Sequence, residues 1–537
     1  MIAFDPQSYP YPSRRMLSYA KNGMVATSQA LAAQAGLEIL RKGGNAVDAA
    51  IATAACLTVV EPTSNGIGGD NFAIVWFNGK IHGLNSSGPA PRQISIEALQ
   101  ERGYAEMPTH GVIPITVPGA PAGWVELWRR FGSLPLTDLL APAIRYAEEG
   151  FPLSAVVGKY WNIASRKYQE KEPKALFQPW FDTFAPGGKA PQIGEIWRSP
   201  DHAATLRAIA ETEGAAFYQG ELAERIVAYV KEHGGYLSLG DLAEYQPEWV
   251  QPLSVSYRGY DVWELPPNGQ GMVALMALNI LKGLSIHEKE SVTTYHQQIE
   301  AMKLAFADGL HYITEPGAMP VPAERLLSEE FAAQRRQMIG TTALQPTPGE
   351  PPKGGTVYLA TADGDGNMVS FIQSNYMGFG SGVVIPGTGI AMQNRGHNFS
   401  LDPTAVNALK PGKRTYHTII PGFLSKDGSA LGPFGVMGGF MQPQGHVQVV
   451  MNLIDFHLNP QAALDAPRWQ WLEGKKVAVE PHLFRDIAQA LARMGHEIIP
   501  TLDGDSFGRG QIILRDPVTG ILMGGTEPRC DSTIALW

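Results

Sequence analysis

The stretch Gly354-Gly-Thr-Val-Tyr-Leu-Ala-Thr-Ala362 decides how the middle of this 537-residue chain folds. From Thr356 onward it has the β-branched and aromatic residues that are typical of a strand. Asp363-Gly-Asp-Gly-Asn367 follows as a turn, and Met368–Gln373 has the alternating character of a second strand. The preceding residues, Gln345–Gly355, are so rich in Pro and Gly that they can form neither a helix nor a central strand. We therefore predict an exposed linker that enters a β-hairpin at Thr356.

Two helices and a buried strand are predicted upstream of this hairpin. Apolar positions recur at helical spacing over Ser28–Arg41, where Ser28 is the expected N-cap. Ala46–Val60 is almost wholly small or apolar, which predicts a core helix that is buried on most sides. The glycine-rich turn Glu61–Asp70 then leads into the apolar run Phe72–Phe77, which has the length of a strand.

The composition excludes several functional classes. With 44% hydrophobic and 17% charged residues the chain is globular, and we favour one large body. A net charge of -9 with scattered Lys and Arg gives no footprint for nucleic acid. No stretch approaches 18 uninterrupted apolar residues, and Met1–Tyr19 lacks the apolar core of a secretory signal, so we expect a cytoplasmic protein without a membrane partner. Cys56 and Cys530 have no ligand spacing, which leaves no basis for a disulfide framework or a zinc site.

The junction Gly355-Thr356 offers a route to a nucleophile. A threonine hydroxyl is weak at neutral pH and needs a base beside it. If the peptide bond before Thr356 breaks, the new α-amino group supplies that base on the same residue, with an unperturbed pKa of about 8. The glycine at 355 gives the backbone freedom to distort during such a step. A threonine at the start of a strand also has a purely structural interpretation.

Six further segments follow one another along the chain. They are Gly43-Gly-Asn-Ala-Val-Asp-Ala-Ala50, Glu61-Pro-Thr-Ser-Asn-Gly-Ile-Gly-Gly69, Val117-Pro-Gly-Ala-Pro-Ala-Gly123, Lys303-Leu-Ala-Phe-Ala-Asp308, Met437-Gly-Gly439 and Gln442-Pro-Gln-Gly-His446. Together with Gly355-Thr356, and in this order, they make the chain resemble the γ-glutamyltransferase family from Gly23 to the C-terminus.

The resemblance implies an α+β fold, the four-layer αββα sandwich of the N-terminal-nucleophile hydrolases. It also implies that the precursor cuts itself into a large chain, residues 1–355, and a small chain, residues 356–537. Because strands of both chains would contribute to one core, we expect the two pieces to stay together as a heterodimer. Whether this heterodimer dimerises further is left open.

The resemblance also assigns catalytic roles. It makes Thr356 the nucleophile and Ser374 the second hydroxyl residue, which is hydrogen-bonded to the nucleophile. Gly438 and Gly439 match the paired glycines whose backbone N–H groups form the oxyanion hole, a role that suits glycine because no Cβ intrudes. An ordinary tight turn is the alternative interpretation of this pair. No cofactor is implied.

Residues that bind the substrate carboxylate in the family are replaced here. The resemblance implies a large-chain arginine and a pair of serines, whereas the chain reads Leu84-Asn-Ser-Ser-Gly-Pro89 and His417-Thr418 at these places. Tyr376 stands where an asparagine is expected two residues beyond Ser374. For His417 a hydrogen-bonded core histidine is an equally good interpretation. Tyr376 either lines the pocket, which we favour, or fills the space left by a missing lid.

The positions that bind the substrate amino group also differ. They read Arg395 and Asn398, so an anionic partner for an ammonium group is lost and a cation suited to a carboxylate is gained. This favours acids without an α-amine, unless Arg395 closes an internal ion pair. The segment Phe399–Pro411 is shorter than the lid-bearing segment of typical members, which predicts a more open site. The pattern is similar to the branch with glutaryl-cephalosporin acylases, oxamate amidohydrolase and lidless glutathione hydrolases.

Our first hypothesis is hydrolysis of a γ-glutamyl amide such as glutathione through an acyl-enzyme on Thr356, with transfer to an acceptor left open. The second hypothesis is hydrolysis of a dicarboxylic acid monoamide, either a glutaryl amide or oxamate. An uncleaved, inactive binding protein is the hypothesis of another class, and the cleavage dipeptide, the second hydroxyl and the glycine pair oppose it. His397 and His446 have no regular ligand spacing, so we expect no metal.

Overall fold

The computed structural model of the protein describes residues 15–346 and 355–537. Residues 347–354 of the predicted linker lie outside the described residues, and so do residues 1–14 of the N-terminal segment. The described strands form two seven-stranded antiparallel sheets and two smaller sheets. No described helix combines the length and the apolar character needed to cross a lipid bilayer.

The first sheet contains, in spatial order, β19 (Thr533–Leu536), β2 (Gly23–Thr27), β10 (Gly355–Asp363), β11 (Met368–Tyr376), β3 (Asp70–Phe77), β4 (Lys80–Ser86) and β7 (Glu248–Val250). The second contains β1 (Ser18–Ala20), β18 (Leu522–Thr526), β17 (Arg509–Arg515), β13 (Ser429–Met437), β12 (Gly422–Lys426), β9 (Tyr260–Glu264) and β8 (Leu253–Tyr257). The smaller sheets are formed by β5 (Phe151–Pro152) with β6 (Ile196–Trp197), and by β14 (Trp469–Glu473), β15 (Lys476–Val479) and β16 (Glu497–Pro500).

Helices cover the outer faces of both large sheets. The helices in the first half of the chain are α1 (Ala30–Arg41), α2 (Ala46–Val60), α3 (Ile96–Glu101), α4 (Ala120–Phe131), α5 (Leu136–Glu149), α6 (Ala155–Gln169), α7 (Lys174–Phe184), α8 (Pro200–Glu211), α9 (Ala215–Tyr218), α10 (Glu221–Glu232) and α11 (Leu239–Ala243). The later ones are α12 (Gly271–Leu281), α13 (Val292–Tyr312), α14 (Ala323–Leu326), α15 (Glu329–Arg336), α16 (Met441–Ile454), α17 (Pro460–Asp465) and α18 (Arg485–Arg493).

Alternating side chains of the strands build four layers. In β10, Tyr358 and Ala360 point into the core between the two sheets, whereas Val357 and Leu359 pack in the core shared with the helices. The opposite face of the second sheet packs on α12 and α16, and α13 packs on α12. This arrangement is the predicted αββα sandwich, and the predicted hairpin is present as β10 and β11 in antiparallel register.

The predicted core helix is confirmed as α2, in which every residue is buried. It packs against α1, α5 and strand β10, so it ties the first sheet to its helical layer. The predicted N-cap of α1 is wrong by one residue, because the side chain of Gln29 accepts the hydrogen bonds of the first turn. The hydroxyl of Ser28 instead donates to Glu61 at 2.5 Å, a long-range contact that local spacing cannot reveal.

Strands from both sides of the predicted cleavage point alternate within each sheet. In the first sheet β10 and β11 lie between β2 and β3, which precede the junction in sequence. In the second sheet the block from β18 to β12 lies between β1 and β9. A cut before Thr356 would therefore leave two polypeptides that share both sheets and the core between them.

We expect residues 1–355 and 356–537 to remain associated after cleavage, because separating them would expose buried ladder hydrogen bonds and core side chains. Size-exclusion chromatography under native conditions should give one peak that contains both fragments, at the elution volume of an uncut T356A variant. Denaturant should be required to separate them. Two separate native peaks would contradict the interleaved topology.

Candidate functional site

Thr356 and Ser374 face each other where the hairpin strands begin and end. The Thr356 hydroxyl donates to Ser374 Oγ at 3.1 Å. Ser374 Oγ in turn donates to the carbonyl oxygen of Gly355 at 2.8 Å and accepts from the backbone N–H of Tyr376 at 2.8 Å. The strand register shifts between Gly355 and Val357, and such bulges re-aim side chains. One buried hydroxyl thus joins the hydroxyl of Thr356 to the carbonyl that precedes it.

Asp70 lies beside Ser374 as its cross-strand partner on β3. Its Oδ2 accepts a hydrogen bond from His417 Nε2 at 3.0 Å. Its Oδ1 accepts from three N–H donors, those of Gly88, Gly119 and Gln393. Burial raises the pKa of Asp70 to about 7, against the lowering effect of Arg395 and of these hydrogen bonds. Asp70 therefore joins four separate segments of the chain, each through one hydrogen bond, next to Ser374.

His417 is held as a neutral imidazole. Its Nε2 donates to Asp70, and its Nδ1 accepts from the backbone N–H of Ile419 at 3.3 Å, which assigns the ring proton to Nε2. Burial, followed by the nearby Arg395, lowers the pKa of His417 well below its usual value. Because both ring nitrogens are engaged, none is left for a ligand, and the core-histidine interpretation is the better one.

Arg395 is fully buried but only partly hydrogen-bonded. Its Nη1 donates to the hydroxyl of Thr418 at 2.8 Å, while Nε and Nη2 have no partner. The guanidinium carbon lies 4.4 Å from the ring centre of Tyr376. Within residues 15–346 and 355–537 no carboxylate forms an ion pair with Arg395, although Asp70 is close enough to act on it electrostatically. The predicted alternative of an internal ion pair is therefore not met in the described chain.

Tyr376 connects the hydroxyl pair to Arg395. Its backbone lies in the left-handed region, with φ of 77°, and its side chain is fully buried with a hydroxyl that has no partner.

Asn398 lies in the 3-10 turn Arg395–Asn398, and its side chain donates to the carbonyl of Tyr416 at 2.9 Å. The expectation of a more open site stays a prediction, because in the continuous chain Thr356 and Arg395 are fully buried.

Gly438 and Gly439 lie between β13 and α16, with φ of 140° and 60°. Both angles fall where an L side chain is rarely tolerated, so the turn requires glycine. Gln270 ties this turn to the rest of the site. Its Nε2 donates to the carbonyls of Gly439 at 2.8 Å and of Thr418 at 2.7 Å, and its Oε1 accepts from the hydroxyl of Tyr416. The glycine pair and the Arg395 group are therefore joined through one buried amide.

Sequence reasoning missed Asp70 and Gln270 as site residues. Asp70 was part of the glycine-rich turn, and its role depends on the strand register that brings it beside Ser374. Gln270 precedes the apolar helix α12, so it reads as an ordinary helix start. The only local signal for either residue is a polar side chain next to a strongly apolar element, and that signal does not name a partner.

A second cluster of buried polar side chains lies away from this site, formed by His296, Glu300 and His496. The histidine nitrogens Nδ1 of His296 and Nε2 of His496 are 2.8 Å apart, and Glu300 Oε1 lies 3.7 Å from the latter. Lys303 Nζ donates to Glu300 at 2.8 Å and to the carbonyl of Leu344 at 3.1 Å. Since the lysine already pairs with the carboxylate, the cluster fits a metal cation poorly. It anchors the backbone that leads to residue 346.

Replacing Asp70 with Asn should destabilise the fold around the site. In one amide orientation the new N–H₂ would face the N–H of His417, and in the other it would face the three donors to Oδ1. We expect D70N to lower the free energy of unfolding by about 1–3 kcal/mol, seen as a lower thermal midpoint. Asp427 in the exposed β12–β13 turn is a matched control, since D427N should leave the midpoint unchanged. Equal midpoints for D70N and wild type would contradict the hydrogen bonding described here.

Comparison with known proteins agrees with this architecture. The sequence model of the family described as gamma-glutamyltranspeptidase matches residues 32–537. A glutathione hydrolase-like YwrD proenzyme from Bacillus subtilis is 38% identical over 520 residues, 95% of this chain and 97% of the relative. An oxamate amidohydrolase proenzyme from Klebsiella pneumoniae is 35% identical over 527 residues, 96% of this chain and 98% of the relative. The crystal structure of a cephalosporin acylase from Bacillus halodurans superposes with a TM-score of 0.97 at 67% identity, covering 100% of this chain and 99% of that one. The chain therefore belongs to the gamma-glutamyltranspeptidase family of self-cleaving amidohydrolases.

Proposed function

We propose that Thr356 first cuts the chain on its own N-terminal side and then acts as the nucleophile of an amide hydrolase. The observation that carries this proposal is the hydrogen-bond chain from the Thr356 hydroxyl through Ser374 to the Gly355 carbonyl. In that chain the attacking oxygen and the carbonyl that it attacks belong to adjacent residues and share one proton carrier. The proenzyme relatives from Bacillus subtilis and Klebsiella pneumoniae support self-cleavage as the first step.

In this proposal the direction of these hydrogen bonds sets the order of proton transfers during self-cleavage. The Thr356 oxygen attacks the Gly355 carbonyl carbon, its proton passes to Ser374, and the Ser374 proton passes to the carbonyl oxygen. The C–N bond then breaks as the carbonyl re-forms, the proton on that oxygen passes to the departing amine of Thr356, and Gly355 is left as an ester on the threonine oxygen. Water hydrolyses this ester, which yields a Gly355 carboxylate and a Thr356 with both a free hydroxyl and a free amine.

The mature enzyme repeats this chemistry on a substrate amide. The free amine of Thr356 accepts the hydroxyl proton as the oxygen attacks, and the same amine protonates the departing nitrogen. In this proposal the backbone N–H groups of Gly438 and Gly439, which lie in a turn with positive φ angles, stabilise the tetrahedral oxyanion. Water then releases the acyl group from the ester on Thr356. Hydrolysis needs no acceptor other than water.

The acyl pocket in this proposal is formed by Tyr376, Arg395, Thr418 and Asn398, and His417 supports it from below through Asp70. A γ-glutamyl amide such as glutathione is one candidate acyl donor, in line with the name of the Bacillus subtilis relative. A dicarboxylic acid monoamide is the second, in line with the names of the oxamate amidohydrolase and the cephalosporin acylase. The buried cation at Arg395 is the specific observation that favours this second candidate.

Replacing Thr356 with Ala should abolish both self-cleavage and turnover, because the attacking oxygen is removed. Denaturing electrophoresis and mass spectrometry should find wild type as two fragments that meet between residues 355 and 356, and T356A as one chain. T356S keeps a hydroxyl and should still cleave. To separate cleavage from catalysis, the two fragments can be co-expressed, with an initiator Met that is removed from the second. Turnover by such a co-expressed T356A enzyme would refute the proposed nucleophile.

Replacing Ser374 with Ala should slow self-cleavage without removing the nucleophile. Loss of one hydrogen bond to the attacked carbonyl and one from the attacking hydroxyl predicts a cleavage rate about 10- to 100-fold lower. The time course of fragment appearance on denaturing gels measures this rate. S374T restores a hydroxyl and should recover most of it, whereas equal rates for S374A and wild type would exclude Ser374 from the proton path.

A further inference from the structure

The turn that contains Gly438 and Gly439 presents two backbone donors whose direction depends on how the turn is held. Among the described residues, neither N–H group of the pair has a backbone acceptor. The carbonyls are engaged, because Gly438 accepts from the N–H of Met441 at 3.1 Å and Gly439 from that of Gln442 at 3.2 Å. Glycine restricts its backbone less than any other residue. Donors in such a turn are preorganised for an oxyanion only if a group outside the turn restrains it.

The side chain of Gln270 restrains this turn from outside. Its Nε2 donates to the carbonyl of Gly439 at 2.8 Å and to that of Thr418 at 2.7 Å, and its Oε1 accepts from the Tyr416 hydroxyl at 3.1 Å. The side chain has no solvent exposure. A carbonyl can only accept, so the two N–H bonds fix the orientation of the amide. Gln270 therefore links the Gly439 carbonyl to Thr418 by a bridge with one defined geometry.

Thr418, at the other end of this bridge, belongs to a segment that is already fixed. The N–H of His417 donates to the Asn268 carbonyl at 2.9 Å, and the carbonyl of His417 accepts from the Gln270 N–H at 2.9 Å. The N–H of Ile419 donates to the His417 ring at 3.3 Å. Because this segment is held at three other points, the bridge restrains the glycine turn more than it restrains Thr418.

Self-cleavage and amide hydrolysis use different hydrogen-bond donors. The carbonyl of Gly355, which is attacked during self-cleavage, accepts its hydrogen bond from Ser374. A substrate carbonyl instead depends on the glycine pair in the proposed mechanism. Gln270 is bonded to the glycine turn and has no hydrogen bond to Ser374 within the described chain. The two reactions of Thr356 can therefore be separated by experiment.

We propose that Gln270 is a positioning residue for amide hydrolysis and that it has no part in self-cleavage. It holds the Gly439 peptide so that the N–H groups of the glycine pair are directed at the oxyanion of the substrate. This inference rests on the proposed roles of Thr356 as nucleophile and of the glycine pair as oxyanion hole. The oxyanion forms after the substrate is bound, so losing the restraint lowers kcat and leaves KM nearly unchanged.

Replacing Gln270 with Met keeps the length of the side chain and removes its three hydrogen bonds. The substrate is whichever of γ-glutamyl 4-nitroanilide, glutaryl 4-nitroanilide and oxamate the wild-type enzyme hydrolyses fastest. We expect Q270M to lower kcat by about 10- to 100-fold and to change KM by less than about threefold. Q270E has the shape of glutamine but can donate to one carbonyl at most, so its kcat should fall similarly.

The rate of self-cleavage in Q270M, followed on denaturing gels, should stay within about threefold of the wild-type rate. This readout separates positioning from general damage to the fold, because both reactions use Thr356. A wild-type kcat in Q270M would overturn the inference, and so would an equal fall in kcat and in the rate of self-cleavage. Hydrolysis by a processed T356A enzyme, or a wild-type enzyme inert towards all three substrates, would instead remove the proposed function itself.

Gln461 on α17 provides a matched control, because it is also a buried amide with three hydrogen bonds. Its Nε2 donates to Asp465 at 2.8 Å and to the Thr526 carbonyl at 2.9 Å, and its Oε1 accepts from the Thr526 N–H at 3.0 Å. Q461M should lower the thermal midpoint about as much as Q270M and leave kcat unchanged. A fall in kcat as large as that of Q270M would overturn the assignment to Gln270.

If Q270M does not fold, Y416F tests the same restraint with a smaller change. It removes the hydrogen bond to Gln270 Oε1 and keeps the ring that stacks on Phe440, with ring centres 5.9 Å apart. We expect kcat to fall by about 3- to 10-fold, with KM and the rate of self-cleavage unchanged. A kcat equal to that of the wild-type enzyme would overturn the inference.

Discussion

The hydroxyl of Ser374 is the constraint on which the site depends. It accepts from the Thr356 hydroxyl and from the Tyr376 N–H, and it donates to the Gly355 carbonyl. A hydroxyl has one proton to donate and two lone pairs, so these three bonds satisfy it completely. Its position follows from the register of β10, β11 and β3, in which a bulge precedes Val357 and Asp70 lies opposite Ser374. Strand pairing therefore places the three groups to which Ser374 is hydrogen-bonded.

Electrostatics divides the site into two halves with different purposes. Both carboxylate oxygens of Asp70 and both ring nitrogens of the neutral His417 have hydrogen-bond partners. Around Arg395 the network is incomplete, with donors that await an acceptor. A satisfied network rigidifies its surroundings, whereas an unsatisfied one creates affinity for what is missing. Gln270 links Thr418, the hydrogen-bond partner of Arg395, to the glycine turn through one side chain.

Local pattern predicted those parts of the fold that depend on neighbours in sequence. Strand composition indicated β10 and alternation indicated β11, and the run of small or apolar residues indicated α2. The N-cap of α1 was not predicted correctly, because the Ser28 hydroxyl is hydrogen-bonded to Glu61, which is distant in sequence. The αββα arrangement followed from family resemblance, since no local pattern says which sheets stack.

Some members of the candidate site were predictable, but Asp70, Gln270 and the hydrogen bonds that connect the residues were not. Resemblance named Thr356, Ser374 and the glycine pair, and the structure brings the first two into hydrogen-bond contact. It did not reveal that both nitrogens of His417 are engaged or that Arg395 lacks a counter-ion, because these facts depend on side chains that are far apart in sequence. The roles of these residues and the cytoplasmic location stay predictions.

The alternation of strands within each sheet also determines how readily the unfolded protein can refold. While the junction is intact, an unfolded molecule can recover both sheets by a search within one polypeptide. Once it is cut, β2 and β3 belong to one chain and β10 and β11 to another, so recovery requires an encounter whose rate falls with dilution. The cleaved protein is consequently kept folded by a high barrier to unfolding, which is kinetic stability, rather than by reversible refolding.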